Sequence, residues 1–174
     1  MISQVLLTSK SQEWETPDPF FKKINNAHNL TLDVCASETN HKLKRFFTAK
    51  DDGLSKSWAG ERVWMNPPYK RKEKGSPGQI DWIRKAHYEV SQNGCELAVC
   101  LIPARTDTKL FHDYVMKSSL VFFIRGRLKF VGAPASAVFP SMLVVFDKRT
   151  YHPVESGQAP SPQFWTMTNQ GIEL

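Results

Sequence analysis

The sequence predicts an α/β domain with a mostly parallel central sheet, helices on both faces and shortened early crossovers. Segments with strand character alternate with segments of helical periodicity along the 174 residues, which is typical of this class. Residues 97–102 are almost wholly apolar, as expected of a strand covered on both faces. Only ten residues lie between Val34 and Arg45, which is at the lower limit for a crossover that contains a helix.

The first half of the chain is predicted to contain one helix followed by three strands. Thr16 suits the N-cap and Pro17 suits the first helical position, so the helix is expected to continue to about residue 27. The strands are predicted at residues 30–35, 45–47 and 62–66.

The second half is predicted to contain two further helices and three further strands. Ser76-Pro77-Gly78-Gln79 has the spacing of a capping box, and helical periodicity continues from residue 80 to a stop at Gly94. Another helix is expected to begin near Asp107. The strands are predicted at residues 97–102, 120–124 and 142–146, with a loop at 126–137 between the last two.

Length and composition favour a single domain over residues 1–174, with its core at about 14–147. Hydrophobic residues make up 41% of the chain, which is enough for one substantial core. Residues 148–174 are predicted to form an irregular tail because they contain Pro153, Pro160 and Pro162. Phe164 and Trp165 of this tail are expected to pack back on the domain.

Charge and motif content narrow the classes of function. A net charge of +6 and a pI near 9.3 favour a polyanionic partner, because Lys and Arg neutralise phosphates. No apolar run is long enough to span a membrane, and the N-terminus lacks a signal-peptide pattern, so a cytoplasmic protein is expected. Cysteines and histidines lack metal-ligand spacing, so no metal site is predicted. The absence of a phosphate-binding loop and of a nucleophile elbow argues against hydrolytic chemistry.

Asn66-Pro67-Pro68-Tyr69, directly behind an apolar stretch, carries the strongest chemical signal. The prolines end a strand and leave an amide oxygen, free carbonyls and an aromatic ring at its end. Such groups can accept both hydrogens of an amino group while the ring stacks on the flat system that carries it, as enzymes acting on extruded bases require. The alternative is a plain Pro-Pro turn with Asn as a cap.

An amino-group acceptor of this kind has a specific chemical use. The exocyclic nitrogen of adenine is a poor nucleophile because its lone pair is delocalised into the ring. Two acceptors that hold its hydrogens localise the lone pair and stabilise the positive charge that develops during attack on an electrophilic methyl group. The motif therefore fits attack by an amino nitrogen on an electrophilic methyl group.

Polar clusters follow three predicted strands, at residues 33–37, 51–52 and 66–69. In open α/β sheets, ligands bind outside the carboxyl ends of the strands. The three clusters are therefore expected to share one rim. The alternatives are a turn cap for Asp33 and an ordinary Asp-Gly turn for Asp51-Asp52-Gly53.

The chain carries an ordered set of short motifs, most of them weak individually. They are Trp14-Glu15-Thr16-Pro17, residues 32–37 with Asn40, 52–54 with Trp58, 66–69, Trp82, 103–108, 126–130 and 139–141. In this order they resemble the small phage-type DNA N6-adenine methyltransferases, the Dam family of phages and prophages. The resemblance covers roughly residues 14–146 and implies a compact Rossmann-like domain that uses S-adenosylmethionine (SAM) as methyl donor and adenine in DNA as acceptor.

The resemblance also implies a role for each matching residue. Asn66 and the Pro67 carbonyl hold the target amino group, Pro68 completes the motif and Tyr69 stacks on the flipped base. The implied cofactor-binding residues are Thr16 and Pro17 against the cofactor, Asp33, Ala36 and Ser37 near its methionine part, and Asp51 or Asp52 at its adenine amine. One departure is the turn after the first strand, which lacks the glycines of the wider methyltransferase superfamily.

DNA is the expected partner, and no membrane association is predicted; a monomer is compatible with this length. Candidate phosphate contacts are Lys70, Arg71, Lys72, Lys74, Arg105 and Arg127. The alternative for the lysine-rich run is a solvated charged loop. Two other functions remain open: methylation of a protein glutamine, whose amide presents a similar NH₂, and non-catalytic DNA binding on a methyltransferase scaffold.

Overall fold

A single mixed sheet of six strands organises the computed structural model, which describes residues 14–150 and 162–168. The strand order is β1-β2-β3-β5-β4-β6. The strands are β1 Leu32–Asp33, β2 Arg62–Met65, β3 Leu97–Pro103, β4 Leu120–Arg125, β5 Ser141–Asp147 and β6 Gln163–Thr168. The helices are α1 Asp18–His28, α2 Gln79–Gln92 and α3 Lys109–Asp113, the last followed by a 3₁₀ turn at Val115–Lys117.

The direction of β5 makes the sheet mixed. The strands β1, β2 and β3 are parallel to one another, and β6 is parallel to β4. Strand β5 lies between β3 and β4 and is antiparallel to both. The prediction of a mostly parallel sheet is therefore not confirmed. No helix lies in the loop between β4 and β5. A helical crossover usually joins parallel strands, and β4 and β5 need none because they are antiparallel.

Helices cover both faces of the sheet, as the sequence predicts for an α/β domain. Strand β3 is buried at every position. On one face, Ile83, Ala86 and Val90 of α2 pack into a cluster with residues of the central strands. On the other face, Phe20, Phe21 and Ile24 of α1 do the same. None of the helices in the described part of the chain is long and apolar enough to cross a membrane.

The segment between β1 and β2 contains neither a helix nor a further named strand. The first predicted strand, residues 30–35, is reduced to Leu32–Asp33. The second, residues 45–47, is reduced to a parallel bridge between Phe46 and Asp33. The amide of Phe47 donates to the Asp33 carbonyl at 2.8 Å, so this stretch still lies beside the end of β1.

The N-caps of α1 and α2 differ from the residues that the sequence predicted. Pro17 occupies the N-cap of α1 without a side-chain bond, because the Thr16 hydroxyl accepts from Asn66 instead. Helix α2 begins at Gln79 behind Gly78, whose amide donates to the Asp81 carboxylate at 3.0 Å.

The predicted tail contains a strand. Residues 163–168 form β6, which pairs with the whole length of β4, so the prediction of irregular chain is wrong there. Phe164 stacks on Phe123 of β4 with the ring centroids 5.9 Å apart, and the Met167 side chain is buried. Phe164 and Trp165 nevertheless remain 49% and 53% exposed, so the expectation that both pack back on the domain is met only in part. Pro153, Pro160 and the N-terminal residues 1–13 lie outside the described residues.

Candidate functional site

The carboxyl ends of β1 and β2 open into a cleft of about 500 Å³, which is within the usual range for small-molecule sites. We call it the strand-end cleft. The predicted site residues that line it are Thr16, Asp33, Ala36, Ser37, Asp52, Asn66, Pro68 and Lys70. The predicted residues Pro17, Asp51, Pro67 and Tyr69 are not part of its lining. The structure therefore brings together at least one residue of each predicted polar cluster.

Hydrogen bonds hold the side chain of Asn66 in one orientation directly after the end of β2. Its amide nitrogen donates to the Trp14 carbonyl and to the Thr16 hydroxyl, the latter at 3.1 Å. Its amide oxygen accepts from the Tyr69 hydroxyl at 2.7 Å. An amide oxygen has two lone pairs, so one acceptor position of Asn66 is left for another partner.

Tyr69 packs among aromatic rings. Its ring centroid lies 5.4 Å from Phe139, 6.3 Å from Phe130 and 6.5 Å from Trp14. Burial raises the pKa of the Tyr69 hydroxyl well above its usual value, so the hydroxyl stays protonated and donates to Asn66. In this structure Tyr69 fixes the Asn66 amide through this hydrogen bond. Stacking of the Tyr69 ring on a flipped base remains a prediction.

Asp33 is a buried carboxylate at the end of β1, with 3% of its surface exposed. It accepts from the backbone amides of Lys42 at 2.9 Å and Cys35 at 3.3 Å. Burial outweighs these bonds and raises the pKa of Asp33 from 3.8 to about 6. Since the folded-state pKa is raised, the contribution of this group to folding stability is full below the lower value and is lost as the pH rises through the higher one.

Lys42 lines the same cleft and was not identified from the sequence. Its ammonium lies 3.1 Å from Glu15 and 2.7 Å from Asp18, and only 5% of its side chain is exposed. The ion pairs connect the loop that follows β1 with the first residue of α1 and with the segment just before it. No local pattern marks Lys42, because its partners lie far away along the chain.

The two acids of the Asp51-Asp52 pair have different roles. Asp51 accepts from the amide and the hydroxyl of Thr48, both at 2.8 Å, and these bonds lower its pKa. It therefore caps the turn that begins at Thr48. Asp52 lines the cleft and has a left-handed backbone with φ of 53°.

Gly53 allows the Asp52 turn to approach β1 closely. A Cβ atom at Gly53 would lie 2.6 Å from the Val34 carbonyl oxygen, which is closer than any side chain tolerates. The Gly53 carbonyl in turn accepts from the indole nitrogen of Trp58 at 3.0 Å. Asp52 is thus fixed beside the end of β1.

Apolar side chains form another part of the lining. They are Phe47, Leu54 and Trp82. Trp82 is one of the motif residues, but its position in the cleft was not inferred, and Phe47 was assigned to a strand. A helix residue facing the core and a residue facing a ligand share the same spacing, so sequence periodicity does not separate them.

Five of the six predicted DNA-contacting residues are exposed: Arg71, Lys72, Lys74, Arg105 and Arg127. Lys70 is half-buried and donates to the Ser76 hydroxyl, and Lys72 is paired with Asp81 at 2.9 Å. The segments that carry these residues follow β2, β3 and β4, which run in the same direction. They therefore leave the sheet at its carboxyl edge, where the cleft opens.

Within residues 14–150 and 162–168, no group of three or more His, Cys, Asp or Glu side chains is arranged to hold a metal ion.

Comparison with known proteins identifies the family. The family described as DNA N-6-adenine-methyltransferase (Dam) matches residues 3–156. A DNA N-6-adenine-methyltransferase of Haemophilus phage HP1 is 29% identical over 154 residues, which cover 82% of this chain and 83% of that protein. A protein of the same name from Escherichia phage T1 is 25% identical over 117 residues, which cover 66% of this chain and 45% of the phage protein. Because the family match extends over most of the sequence, the chain belongs to the DNA N-6-adenine-methyltransferase (Dam) family.

Proposed function

We propose that this protein transfers a methyl group from SAM to the N6 amino group of adenine in DNA. Membership of the Dam family and the names of both phage relatives support this reaction. The observation that carries the proposal is the Asn66 amide, whose nitrogen is anchored on Trp14 and Thr16 while its oxygen keeps an open acceptor position beside the cleft.

The strand-end cleft fits SAM in size and in the chemistry of its lining. Asp33 and Lys42 are charged lining residues and would contact the charged amino-acid part of the cofactor. Phe47, Trp82 and Asp52 also line the cleft and would provide apolar surface and an acceptor for an adenine ring with its amine. When bound, the cofactor supplies an electrophilic methyl group. The proposed enzyme is thus a Rossmann-like SAM-dependent methyltransferase.

The chain's own groups would activate the target nitrogen. The Asn66 oxygen and the Pro67 carbonyl would accept the two N6 hydrogens and localise the lone pair of the nitrogen. Tyr69 keeps the Asn66 oxygen in place through its hydroxyl. After the nitrogen gains the methyl group, one of its protons is released to water. Preorganised acceptors are effective because they need no rearrangement as positive charge develops.

The proposal places the substrate DNA along the carboxyl edge of the sheet, in the cytoplasm of a host cell. A radiolabel experiment tests the reaction: tritiated methyl groups of SAM should appear in DNA as N6-methyladenine. Label in polypeptide would favour glutamine methylation instead, and absence of both transfer and cofactor binding would favour a non-catalytic DNA-binding protein.

The affinity for SAM is expected to fall at acidic pH. Asp33 attracts the cationic cofactor only when it is ionised. Because its pKa is about 6, this attraction is lost as the pH falls below about 6. Below that pH the affinity should weaken by about tenfold for each pH unit, because protonation then competes with binding. Calorimetric titration between pH 5 and 8 measures the effect. Asp33→Asn should bind weakly with a flat profile, and a wild-type profile that is equally flat would contradict the assignment.

The exposed cations of the basic loop, residues 70–74, are expected to contact phosphates. Arg71→Ala and Lys74→Ala should each weaken DNA binding uniformly across sequences and reduce the slope of log affinity against log salt by about 1. Fluorescence anisotropy at several salt concentrations measures the slope. Lys148→Ala is the matched control, since Lys148 follows β5 at the opposite edge of the sheet. Equal slopes for all these variants would remove the loop from the DNA interface.

A further inference from the structure

The loop between β4 and β5, residues 126–140, leaves the sheet at the same edge as Asn66. Its first residues alternate in burial. Leu128 and Phe130 are 2% and 1% exposed, whereas Arg127, Lys129 and Val131 are exposed. One side of the loop is therefore built into the domain, and the other side faces outward.

The inner side of this loop contacts the residues that hold Asn66. The Phe130 ring lies 5.2 Å from Trp14 and 6.3 Å from Tyr69. The Val131 amide donates to the Glu15 carbonyl at 2.9 Å, and the neighbouring Trp14 carbonyl accepts from Asn66. The loop therefore cannot move without disturbing residues that hold Asn66, the proposed acceptor of the target amino group.

The exposed residues of the loop include apolar side chains and cations. Val131 and Val138 are 51% and 59% exposed. A single exposed valine needs no explanation. Here both lie on one loop, which also carries the exposed Lys129 and directly follows the exposed Arg125 at the end of β4. A backbone hydrogen bond closes the loop, because the Ala137 amide donates to the Leu128 carbonyl at 2.8 Å. The exposed side chains are therefore carried by an ordered segment.

We propose that loop 126–140 reads the base sequence that flanks the target adenine. Val131 and Val138 contact thymine methyl groups, the apolar feature that DNA displays in its major groove. Lys129 contacts a base edge or phosphate beside them. This inference rests on the proposed methylation of DNA and adds to it the element that selects the site.

Sequencing of host DNA with detection of methylated adenines tests the loop. Wild-type protein should define a preferred site, and Val131→Ser, Val138→Ser and Lys129→Ala should relax at least one flanking position by about fivefold or more, since one mismatched base pair commonly costs that much. Phe164→Ser is the control, because this side chain is 49% exposed and lies on β6, paired with Val121. The control should retain the wild-type site.

A second arm changes the DNA instead of the protein. Replacing flanking thymine by deoxyuridine in an oligonucleotide of the preferred site removes only the methyl group. Wild-type transfer should slow by several-fold, and a valine variant should no longer distinguish the two oligonucleotides. Unchanged site preference in all loop variants, with equal rates on both oligonucleotides, overturns the role of the loop while methylation itself stands. If the wild type methylates no DNA adenine, the proposed function fails first and the inference fails with it.

Discussion

Asn66→Ala is expected to reduce methyl transfer to DNA by at least about 100-fold, because removal of one preorganised hydrogen-bonding group at a reacting centre typically costs that much. The substitution deletes the amide oxygen that would hold the N6 hydrogen and leaves the Tyr69 hydroxyl and the Trp14 carbonyl without their shared partner. Incorporation of tritiated methyl groups into DNA under single-turnover conditions measures the change in the chemical step.

Two comparisons separate this chemical effect from a structural one. Asn26→Ala removes the same side chain from an exposed position of α1 and should leave the rate unchanged. SAM binding by the Asn66 variant, measured by calorimetry, should persist because Asn66 is assigned to the target base. An Asn66→Ala protein that methylates DNA at the wild-type rate would remove Asn66 from the mechanism.

Trp58→Ala is expected to lower the free energy of unfolding by about 3–5 kcal/mol, the usual cost of truncating a large aromatic side chain in a core. Trp58 is fully buried. Its backbone amide donates to Glu89 at 2.8 Å and its indole nitrogen donates to Gly53 at 3.0 Å. The substitution therefore opens a cavity and also releases the turn that carries Asp52. Urea denaturation measures the stability.

Trp165→Ala is the matched control, since that side chain is 53% exposed and its loss should change stability by less than about 0.5 kcal/mol. Trp58→Phe keeps most of the apolar volume but loses the bond to Gly53, and its stability should lie between those of the wild type and the alanine variant. Equal unfolding midpoints for Trp58→Ala and Trp165→Ala would contradict the structural role given to Trp58.

Local sequence signals predicted which residues line the cleft where those residues are adjacent in sequence. Asn66, Pro67 and Pro68 end a strand because proline cannot continue a ladder, and the structure ends β2 at Met65. The sequence also predicted that the three polar clusters share one edge of the sheet, because parallel strands end at the same edge. The cleft accordingly contains Asp33, Asp52 and Asn66.

Long-range contacts explain what the sequence did not reveal. Thr16 has the local pattern of a helix cap, but Asn66, 50 residues away, takes its hydroxyl. Lys42 is paired with Glu15 over a separation of 27 residues, and neither partner carries a local signature. Strand β6 pairs with the edge of β4 that β5 does not occupy, and this edge exists only once β5 has inserted between β3 and β4.

The fixed orientation of the Asn66 amide has a consequence for the bases that the proposed site rejects. The NH₂ group of Asn66 is taken by Trp14 and Thr16, so the side chain cannot rotate to offer a donor without breaking both contacts. Only lone pairs then face the edge of an incoming base. A keto oxygen, as in guanine, thymine or the deamination product hypoxanthine, meets electrostatic repulsion there, and an unpaired acceptor in such a site is costly. The arrangement thus discriminates by exclusion of carbonyl groups as well as by attraction of an amine.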